Sequence, residues 1–459
     1  MRINLVLAPA IFKRAPLIGL AYLSAYLRKK GHEVSVIDLN AELPWPEQDN
    51  EIRWLDAGFI ERVAAEKEEL ADSLADRILG NDPGIIGFSA WVSTKNFSLA
   101  LAGKIKRKDP RRVIVLGGPE CSFSPEELIG HNAIDAIIMG EGEETLAELA
   151  SGYESGDGLR ACAGSKIKIN NDIVDGGQRK EMRDLDSLPF PDYSDFNFDN
   201  YINKNTLPMV FYRGCLRRCV FCNTSVTWKT FRSRSAGNIF EEMIYHTGRF
   251  PGLAKFDVDD TAINLDTVVI SELCDLIIAN GFKINWGGMA LIREEMTGGL
   301  LKKMAKAGCN CMGYGLESGS QKIIDSIGKG FRIDTAERVI RDTYGAGIET
   351  ILAIIIGFPG ETEKDFEDTL KFIQRNRDFI SWIHSPSECC IGCNSFMQNN
   401  PDKFGAVIDP ENGENWRSVD GYNNHDMRQK RIRIFNEFLV SIGVRRSSYS
   451  NVHKNVSDQ

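Results

Sequence analysis

The feature that most constrains the fold of this 459-residue chain is a repeated alternation of short apolar strand signals with longer helical ones. In the first third, strand signals lie at Ile3–Ala8, Glu33–Leu39, Ile85–Ser89, Val113–Leu116 and Ala136–Met139. Helical patterns fall between them at Leu17–Lys30, Glu61–Leu79 and Lys95–Lys108, and a last one runs to about Ala150. In Leu17–Lys30, Leu20, Leu23 and Leu27 recur on one side and Gly31 stops the helix. Short Ile/Val-rich runs that each lead into a helix belong to a parallel sheet covered on both faces. The expectation is an α/β chain that opens with a doubly wound, Rossmann-like domain over residues 1–150. Such sheets bind ligands at the carboxyl ends of their strands, where the Gly-rich turns Gly87–Thr94, Gly117–Glu120 and Gly140–Glu143 fall.

Residues 151–205 read as a linker. It holds a hairpin at Lys166–Val174 around Asn170-Asn171-Asp172 and an extended stretch, Leu185–Phe196, with Pro189 and Pro191. The alternation resumes over 206–385, with strands at Pro208–Tyr212, Leu253–Val258, Lys283–Trp286, Met312–Leu316, Thr350–Ile356 and Phe379–His384. Helices at Asn238–His246, Thr267–Asn280, Gly298–Ala307, Gln321–Ile327, Ile333–Gly345 and Glu363–Asn376 complete a partial (β/α)6 barrel of the TIM type. Its chemistry belongs at the carboxyl strand ends. Over 386–459 the alternation fails. A Cys/Asn-rich loop, an amphipathic helix at Asp426–Val440 and a mobile tail, Arg445–Gln459, make a small segment on the substrate side of the barrel.

Composition excludes several classes. Hydrophobic residues make up 42% and charged residues 26%, an ordinary globular balance that excludes disorder as the main state. The net charge of −9 argues against a nucleic-acid or anionic-membrane binder. The longest uncharged runs, Ala15–Leu27 and Cys389–Pro401, fall short of the ~20 apolar residues of a bilayer span. The opening residues read as a buried strand and not a signal peptide, which points to the cytoplasm. Eleven irregularly spaced cysteines then suggest metal or catalysis, not a disulfide framework.

The sharpest chemical signal is Gly214-Cys215-Leu-Arg-Arg-Cys219-Val-Phe-Cys222, a C-x3-C-x2-C run just after a strand. Three thiolates on one loop can hold three irons of a [4Fe-4S] cluster and leave the fourth open. Zinc is the alternative, but it wants four ligands, and no His or Cys occurs in the twenty residues after Cys222. The run, with Phe221 before its third cysteine, resembles the signature of radical S-adenosylmethionine (SAM) enzymes. Phe256-Asp-Val-Asp259-Asp260-Thr resembles their second barrel strand, Gly313-Tyr-Gly-Leu-Glu317-Ser-Gly their fourth, and Ile355-Ile-Gly357-Phe-Pro359-Gly360-Glu361 their fifth. The resemblance implies that Cys215, Cys219 and Cys222 ligate the cluster and that Glu317 and Asp259 contact SAM. It also implies that Phe221 packs near the adenine and that the Gly357–Gly360 turn, with Pro359, brackets it. The bland reading is a plain Gly-Phe-Pro-Gly turn and a helix cap at Asp259/Asp260.

The first domain has its own resemblance. Ala15-Pro16-Leu-Ile-Gly19-Leu-Ala-Tyr with Gly31-His-Glu-Val, Leu116-Gly117-Gly118-Pro119-Glu120 and Met139-Gly140-Glu141-Gly142-Glu143 look like cobalamin-binding domains fused to radical SAM barrels. None of the six histidines has Asp two residues before it, so no Asp-x-His-x-x-Gly motif supplies a cobalt ligand. Trp91, Val92 and Ser93 are the candidates to border the corrin. The alternative is a vestigial domain that binds nothing.

The resemblance implies an enzyme that uses a [4Fe-4S] cluster, SAM and cobalamin. The family's commonest reaction moves a methyl group to an unactivated carbon by way of a 5′-deoxyadenosyl radical and methylcobalamin. The partners implied are a small-molecule or peptide substrate and an electron donor such as flavodoxin or ferredoxin. Some members carry out cyclisation, rearrangement or oxidation instead, and a non-catalytic corrinoid carrier is a third reading. Methylthiotransferases place three cluster cysteines in their N-terminal domain; here only Cys121 and Cys162 precede Cys215. Cys389, Cys390 and Cys393, with Cys309 and Cys311, are candidates for a second cluster or, more plainly, reduced thiols. Arg213, Arg217 and Arg218 suit steering of an anion. The basic run Arg428–Arg433 reads as a solvated helix face.

Overall fold

The computed structural model describes residues 1–9, 13–42, 68–156, 158–170, 172–384, 386–409 and 415–447. The chain divides into two compact units, Met1–Lys204 and Asn205–Gln459.

The first unit is a seven-stranded sheet. Its strands are β1 (Arg2–Leu7), β2 (Glu33–Asp38), β3 (Ile85–Ser89), β4 (Val113–Gly117), β5 (Ala136–Ile138), β6 (Ser165–Ile169) and β7 (Asp172–Asp175), in the order β2-β1-β3-β4-β5-β6-β7. The first five pair in parallel, as their continuous apolar runs require. Helices α1 (Ile18–Lys29), α2 (Glu68–Leu79), α3 (Lys95–Lys108) and α4 (Gly142–Glu154) accompany them. Val6, Ile86, Phe88, Leu101, Ile105, Leu116 and Ile137 share one buried core. The helix expected from Glu61 is seen from Glu68; residues 61–67 lie outside the described residues.

The segment 151–205 is not a bare linker. Its hairpin is β6–β7, which joins the sheet antiparallel to β5. Ile167 is fully buried opposite Ala136, while its neighbours Lys166 and Lys168 point the other way, the period-two alternation of a one-faced strand. The stretch after it packs on the same unit. Arg28 on α1 pairs with Asp192 and Asp195, and buried Tyr201 donates its hydroxyl to Asp38 at 2.5 Å.

The second unit carries an eight-stranded sheet, of which seven strands lie on one path. They are β8 (Thr206–Met209), β9 (Lys255–Val258), β10 (Asn285–Ala290), β11 (Cys309–Glu317), β12 (Glu349–Ile356), β13 (Trp382–His384) and β14 (Arg446–Ser447), neighbours in the order β14-β13-β12-β11-β10-β9-β8. All these pairs are parallel, so every carboxyl end lies on one edge. Helices α5 (Ala236–Arg249), α6 (Thr267–Ala279), α7 (Gly298–Lys306), α8 (Gln321–Ile327), α9 (Ile333–Gly345) and α10 (Glu363–Asn376) fall between the strands, and α11 (His425–Ser441) follows. This is the partial barrel expected.

Its strand bounds differ in instructive places. The strand expected at Lys283–Trp286 starts at Asn285 and runs on through Gly287-Gly288 to Ala290. A Cβ at Gly287 would sit 2.4 Å from the Cys311 carbonyl oxygen, and one at Gly288 would sit 2.6 Å from that of Val258. These glycines mark close backbone approach, not a break. The strand expected at Pro208–Tyr212 stops at Met209, and Tyr212–Arg213 pairs separately with Arg232–Ser233. The expected mobile tail begins as β14; residues 448–459 lie outside the described residues. No helix among the described residues is long and apolar enough to cross a membrane.

Burial raises the Asp38 carboxyl to about 6, against the pull of Tyr201 and the Ala41 amide. The folded state then holds a proton that the unfolded state has released. This contribution is full below about pH 4 and is lost as the pH rises through about 6, a span of about 3 kcal/mol. The stability difference between Asp38→Asn and the native protein, followed by urea unfolding from pH 4.5 to pH 7.5, should therefore shift in favour of the variant as pH rises.

Candidate active site at the carboxyl edge of the second unit

The cluster loop begins where β8 runs out. Gly214, at φ +91°, makes the turn into it, and a Cβ there would lie 2.3 Å from the Thr230 carbonyl oxygen. The Cys215 sulfur accepts the Arg217 amide at 3.4 Å; the Cys222 sulfur accepts that of Thr224 at 3.4 Å and touches its hydroxyl at 3.1 Å. Burial pushes the Cys219 thiol up, the Lys329 ammonium draws it down, and Cys222, Glu317 and Cys215 add to the upward push. The three thiols, Glu317 and Lys329 thus form one electrostatic neighbourhood. Two of the thiols rest on nearby amides, and no group of three His, Cys, Asp or Glu converges as a metal cage among the described residues. The donor set still fits: three soft free thiols within eight residues suit iron–sulfur ligation and leave one iron without a protein ligand.

Glu317 ends β11 at φ +65°, beyond a register shift between Gly315 and Glu317. Its Oε1 accepts from Lys329 Nζ at 2.6 Å, and the same ammonium donates to the Gly315 carbonyl at 2.9 Å. A Cβ at Gly315 would fall 2.6 Å from that carboxylate oxygen and 2.8 Å from that ammonium. Burial works against the Lys329 charge, but Glu317 and the thiols of Cys219 and Cys222 outweigh it and raise its pKa. Sequence reading missed Lys329. Its one signal was Gly328-Lys-Gly330, two left-handed glycines that turn the chain back onto the cluster loop.

Asp259 follows β9 and its side chain is exposed. The neighbour Asp260 is the sunken one: its Oδ2 accepts the amides of Phe211 at 2.8 Å and Tyr212 at 3.0 Å. Burial drives this carboxyl well above the usual range against those amides. Neither residue caps the next helix; Asp266 does.

The turn after β12 is more heavily engaged than a cofactor bracket requires. The Gly357 amide donates to Glu361 Oε2 at 2.8 Å. Asn423 Nδ2 donates to the carbonyls of Gly357 at 3.1 Å and Phe358 at 3.2 Å, and Lys322 donates to that of Gly360. Pro359 is buried and Gly360 exposed. Burial pushes the Glu361 carboxyl up to about 7, opposed by Arg431 at 2.7 Å. The basic run Arg428–Arg433 is therefore only in part a solvated face: Lys430 and Arg433 are exposed, Arg428 and Arg431 are not. Arg428 is 0% and Arg431 2% exposed, because Glu361, Glu363 and Glu388 from two other stretches reach them.

Phe221 packs with Val220 against Ile323, Ile327, Phe358, Ile391 and Met397. Its carbonyl accepts the Gly392 amide at 2.8 Å, and the Val220 carbonyl accepts that of Met397 at 2.8 Å. The Cys-rich stretch is thereby strapped to the cluster loop. Cys389 is buried, Cys390 exposed and Cys393 half-buried; Cys309 is buried and burial pushes the Cys311 thiol up to about 12. Like the thiols of Cys215, Cys219 and Cys222, these do not converge into a group of three among the described residues. Arg213 is buried over the Trp228 ring at 5.7 Å, and Arg218 is exposed.

The first unit presents a second candidate edge. Trp91 and Val92, 39% and 56% exposed, follow β3, and buried Thr94 accepts the Trp91 amide at 2.9 Å to hold the turn over buried Ser93. Gly118, at φ +96°, lies so close to the end of β3 that a Cβ would fall 2.6 Å from the Ala90 oxygen, while Gly117 faces open space. Pro119 starts a short helix. Gly140 donates its amide to Ser122, and Gly19 sits in the first turn of α1. Glu141, Gly142 and Glu143 serve the start of α4: Glu141 accepts the Met182 amide, Gly142 backs onto Leu23, and Glu143 is buried.

Residues 7–150 match the family model of the B12 binding domain, and residues 209–373 match that of the Radical SAM superfamily. An uncharacterized methyltransferase of Pyrococcus horikoshii is 28% identical over 387 residues, 82% of this chain and 78% of that protein. The anaerobic magnesium-protoporphyrin IX monomethyl ester cyclase of Cereibacter sphaeroides is 26% identical over 316 residues, 65% of this chain but only 50% of that protein. The fold resembles that of the cobalamin-dependent S-adenosylmethionine radical enzyme OxsB, at TM-score 0.66 and 19% identity over 88% of this chain and 56% of that one. It also resembles that of the radical S-adenosylmethionine methyltransferase TsrM from Kitasatospora setae, at TM-score 0.62 and 16% identity over 84% of this chain and 72% of that one.

Removing one partner of a buried ion pair strands the other charge. Lys329→Met should lower unfolding stability by about 3–5 kcal/mol, measured by urea unfolding of the metal-free protein. The double variant Lys329→Met/Glu317→Leu should recover much of that loss.

Proposed function

The chain belongs to the radical SAM superfamily and carries a B12 binding domain ahead of its barrel, and from that premise we propose that it transfers a methyl group to an unactivated carbon of a small-molecule or peptide substrate. The cofactors of this family are a [4Fe-4S] cluster, S-adenosylmethionine and cobalamin. When bound, they supply radical initiation and a methyl carrier. Cys215, Cys219 and Cys222 would hold the cluster and leave one iron for SAM. Glu317, at a strand end with its carboxylate held by Lys329, would accept from SAM, with Asp259 and the Gly357–Gly360 turn nearby. On the first unit, Trp91 and Val92 offer an exposed apolar surface for the corrin, beside the open backbone at Gly117 and Gly118.

One observation carries this reading: three thiols on one eight-residue loop lie within electrostatic reach of the buried Glu317–Lys329 pair at the carboxyl edge of a parallel barrel, in a chain whose other unit matches the B12 binding domain. Methyl transfer is favoured by the methyltransferase name of the relative from Pyrococcus horikoshii. The cyclase among the relatives supports a second reading, a radical reaction without methyl transfer. The electron would come from a flavodoxin or ferredoxin in the cytoplasm.

Protein made without oxygen in corrinoid-supplied cells should contain near-stoichiometric corrin and an iron–sulfur cluster. The triple change of Cys215, Cys219 and Cys222 to Ala should abolish the cluster and leave the corrin, read from absorption spectra and iron analysis. With methyl-labelled SAM, label in the product supports methyl transfer. A changed product without label favours the cyclase-type reading. Absence of corrin from native protein that holds the cluster would overturn the methyl-transfer reading and leave a radical SAM enzyme.

A further inference from the structure

We propose that Asp260 and Thr261 are positioning residues that set the start of the cluster loop, a role that rests on the reading of Cys215, Cys219 and Cys222 as cluster ligands. Where β8 ends at Met209, its backbone loses the ladder from β9. Three consecutive residues after β9 take over. The Asp259 amide donates to the Met209 carbonyl at 2.8 Å. Asp260 Oδ2 then accepts the amides of both Phe211 and Tyr212, and the Thr261 hydroxyl donates to the Gly214 carbonyl at 2.8 Å. Every tie falls within the six residues before Cys215, and the last grips the left-handed glycine from which Cys215 departs.

The carboxyl group is specialised for this role. Its Oδ1 is buried with no hydrogen-bond partner, so one oxygen does all the bonding and both of its partners are backbone amides. A group kept for a cap would face the start of α6, but Asp266 already holds the amides of Val268 and Val269 there. Parallel sheets leave amides unpaired at their carboxyl edges, where helix caps or ligands usually meet them. Here a side chain meets them, and the chain direction into Cys215 is fixed before any cluster is present. The remaining sides of the loop are held by Ile327, Gly392 and Met397 through Val220 and Phe221. The entry pairs with Arg232–Ser233 and Arg234 through its carbonyl groups, while Asp260 holds its amides at Phe211 and Tyr212 and Thr261 its last carbonyl, that of Gly214.

The test compares Asp260→Asn, Asp260→Leu and Thr261→Val in full-length protein. Asn keeps one acceptor oxygen for both amides; Leu keeps none. In metal-free protein, deuterium exchange in a peptide spanning residues 211–214 should accelerate about tenfold or more in Asp260→Leu and stay within about twofold of native in Asp260→Asn. After anaerobic reconstitution, Asp260→Leu should bind less iron and show a shifted paramagnetic resonance spectrum of the reduced cluster, with Asp260→Asn close to native. Thr261→Val, nearly isosteric, should change the same quantities in the same direction by a smaller factor and serves if Asp260→Leu does not fold. Native exchange and a native spectrum in a folded Asp260→Leu would overturn the proposal. So would an Asp260→Asn protein with a native spectrum that no longer cleaves SAM, because the carboxylate itself would then be required. A native protein that binds no cluster would instead fail the cluster reading, while the exchange rates would still report on the clamp.

Discussion

A buried ammonium governs the carboxyl edge of the barrel. Lys329 stands between the Glu317 carboxylate and the thiols of Cys219 and Cys222, and it is 8% exposed. An isolated charge there would be expelled or neutralised. It persists because Glu317 and the Gly315 carbonyl meet it directly and the thiols add their field. The glycines follow from the same contact: Gly315 leaves room for both charged heads, and Gly328 and Gly330 let the chain fold Lys329 inward. A site that gathers sulfur and a carboxylate collects negative potential, and a cation within it offsets that potential.

The C-terminal segment completes the edge without contributing a strand to its centre. Arg428 stacks at 4.2 Å on Trp416 and pairs with Glu388, while Arg431 pairs with Glu361 and Glu363. These contacts seat Asn423 over the carbonyls of Gly357 and Phe358. Gly357 has no alternative residue: its φ is +81°, and a Cβ would lie 2.4 Å from Arg428 Cγ. The turn after β12 is thus a junction between barrel and C-terminal helix as well as a strand end. The strap through Gly392 and Met397 ties the same segment to the cluster loop. The second unit therefore holds its cluster loop from the barrel and from the C-terminal segment at once.

Most of the architecture was legible in the chain. Helices α3, α8, α9 and α10 fall on their expected bounds because their apolar periodicity is strong and their ends carry clear stops or caps, such as the capping box of Thr362 and Asp365. The strands of the first unit were readable for the same reason. The misreadings have distinct causes. The strand expected to end at Trp286 runs on because neighbouring backbones exclude a Cβ at Gly287 and Gly288, which the sequence does not show. The hairpin expected at Lys166–Val174 reads as part of a linker and not of the first sheet, because an edge strand with one exposed partner carries a weak apolar signal. Arg428 and Arg431 looked solvated because their acidic partners lie about forty to seventy residues away.

The sequence by itself determined the fold class, the resemblance to two families and the close spacing of Cys215, Cys219 and Cys222, because periodicity and spacing are local properties of the chain. It also located Glu317 and the Gly357–Gly360 turn by their motifs. Only the tertiary structure decided that Lys329 is the counter-ion of Glu317, that Asp260 and not Asp259 is the sunken carboxyl, and that the C-terminal helix claims the backbone of the Gly357 turn. Each of those outcomes depends on which distant groups are brought out of water together. A charge or an amide acquires its role there from the partners that burial leaves within reach, and sequence spacing does not record that set.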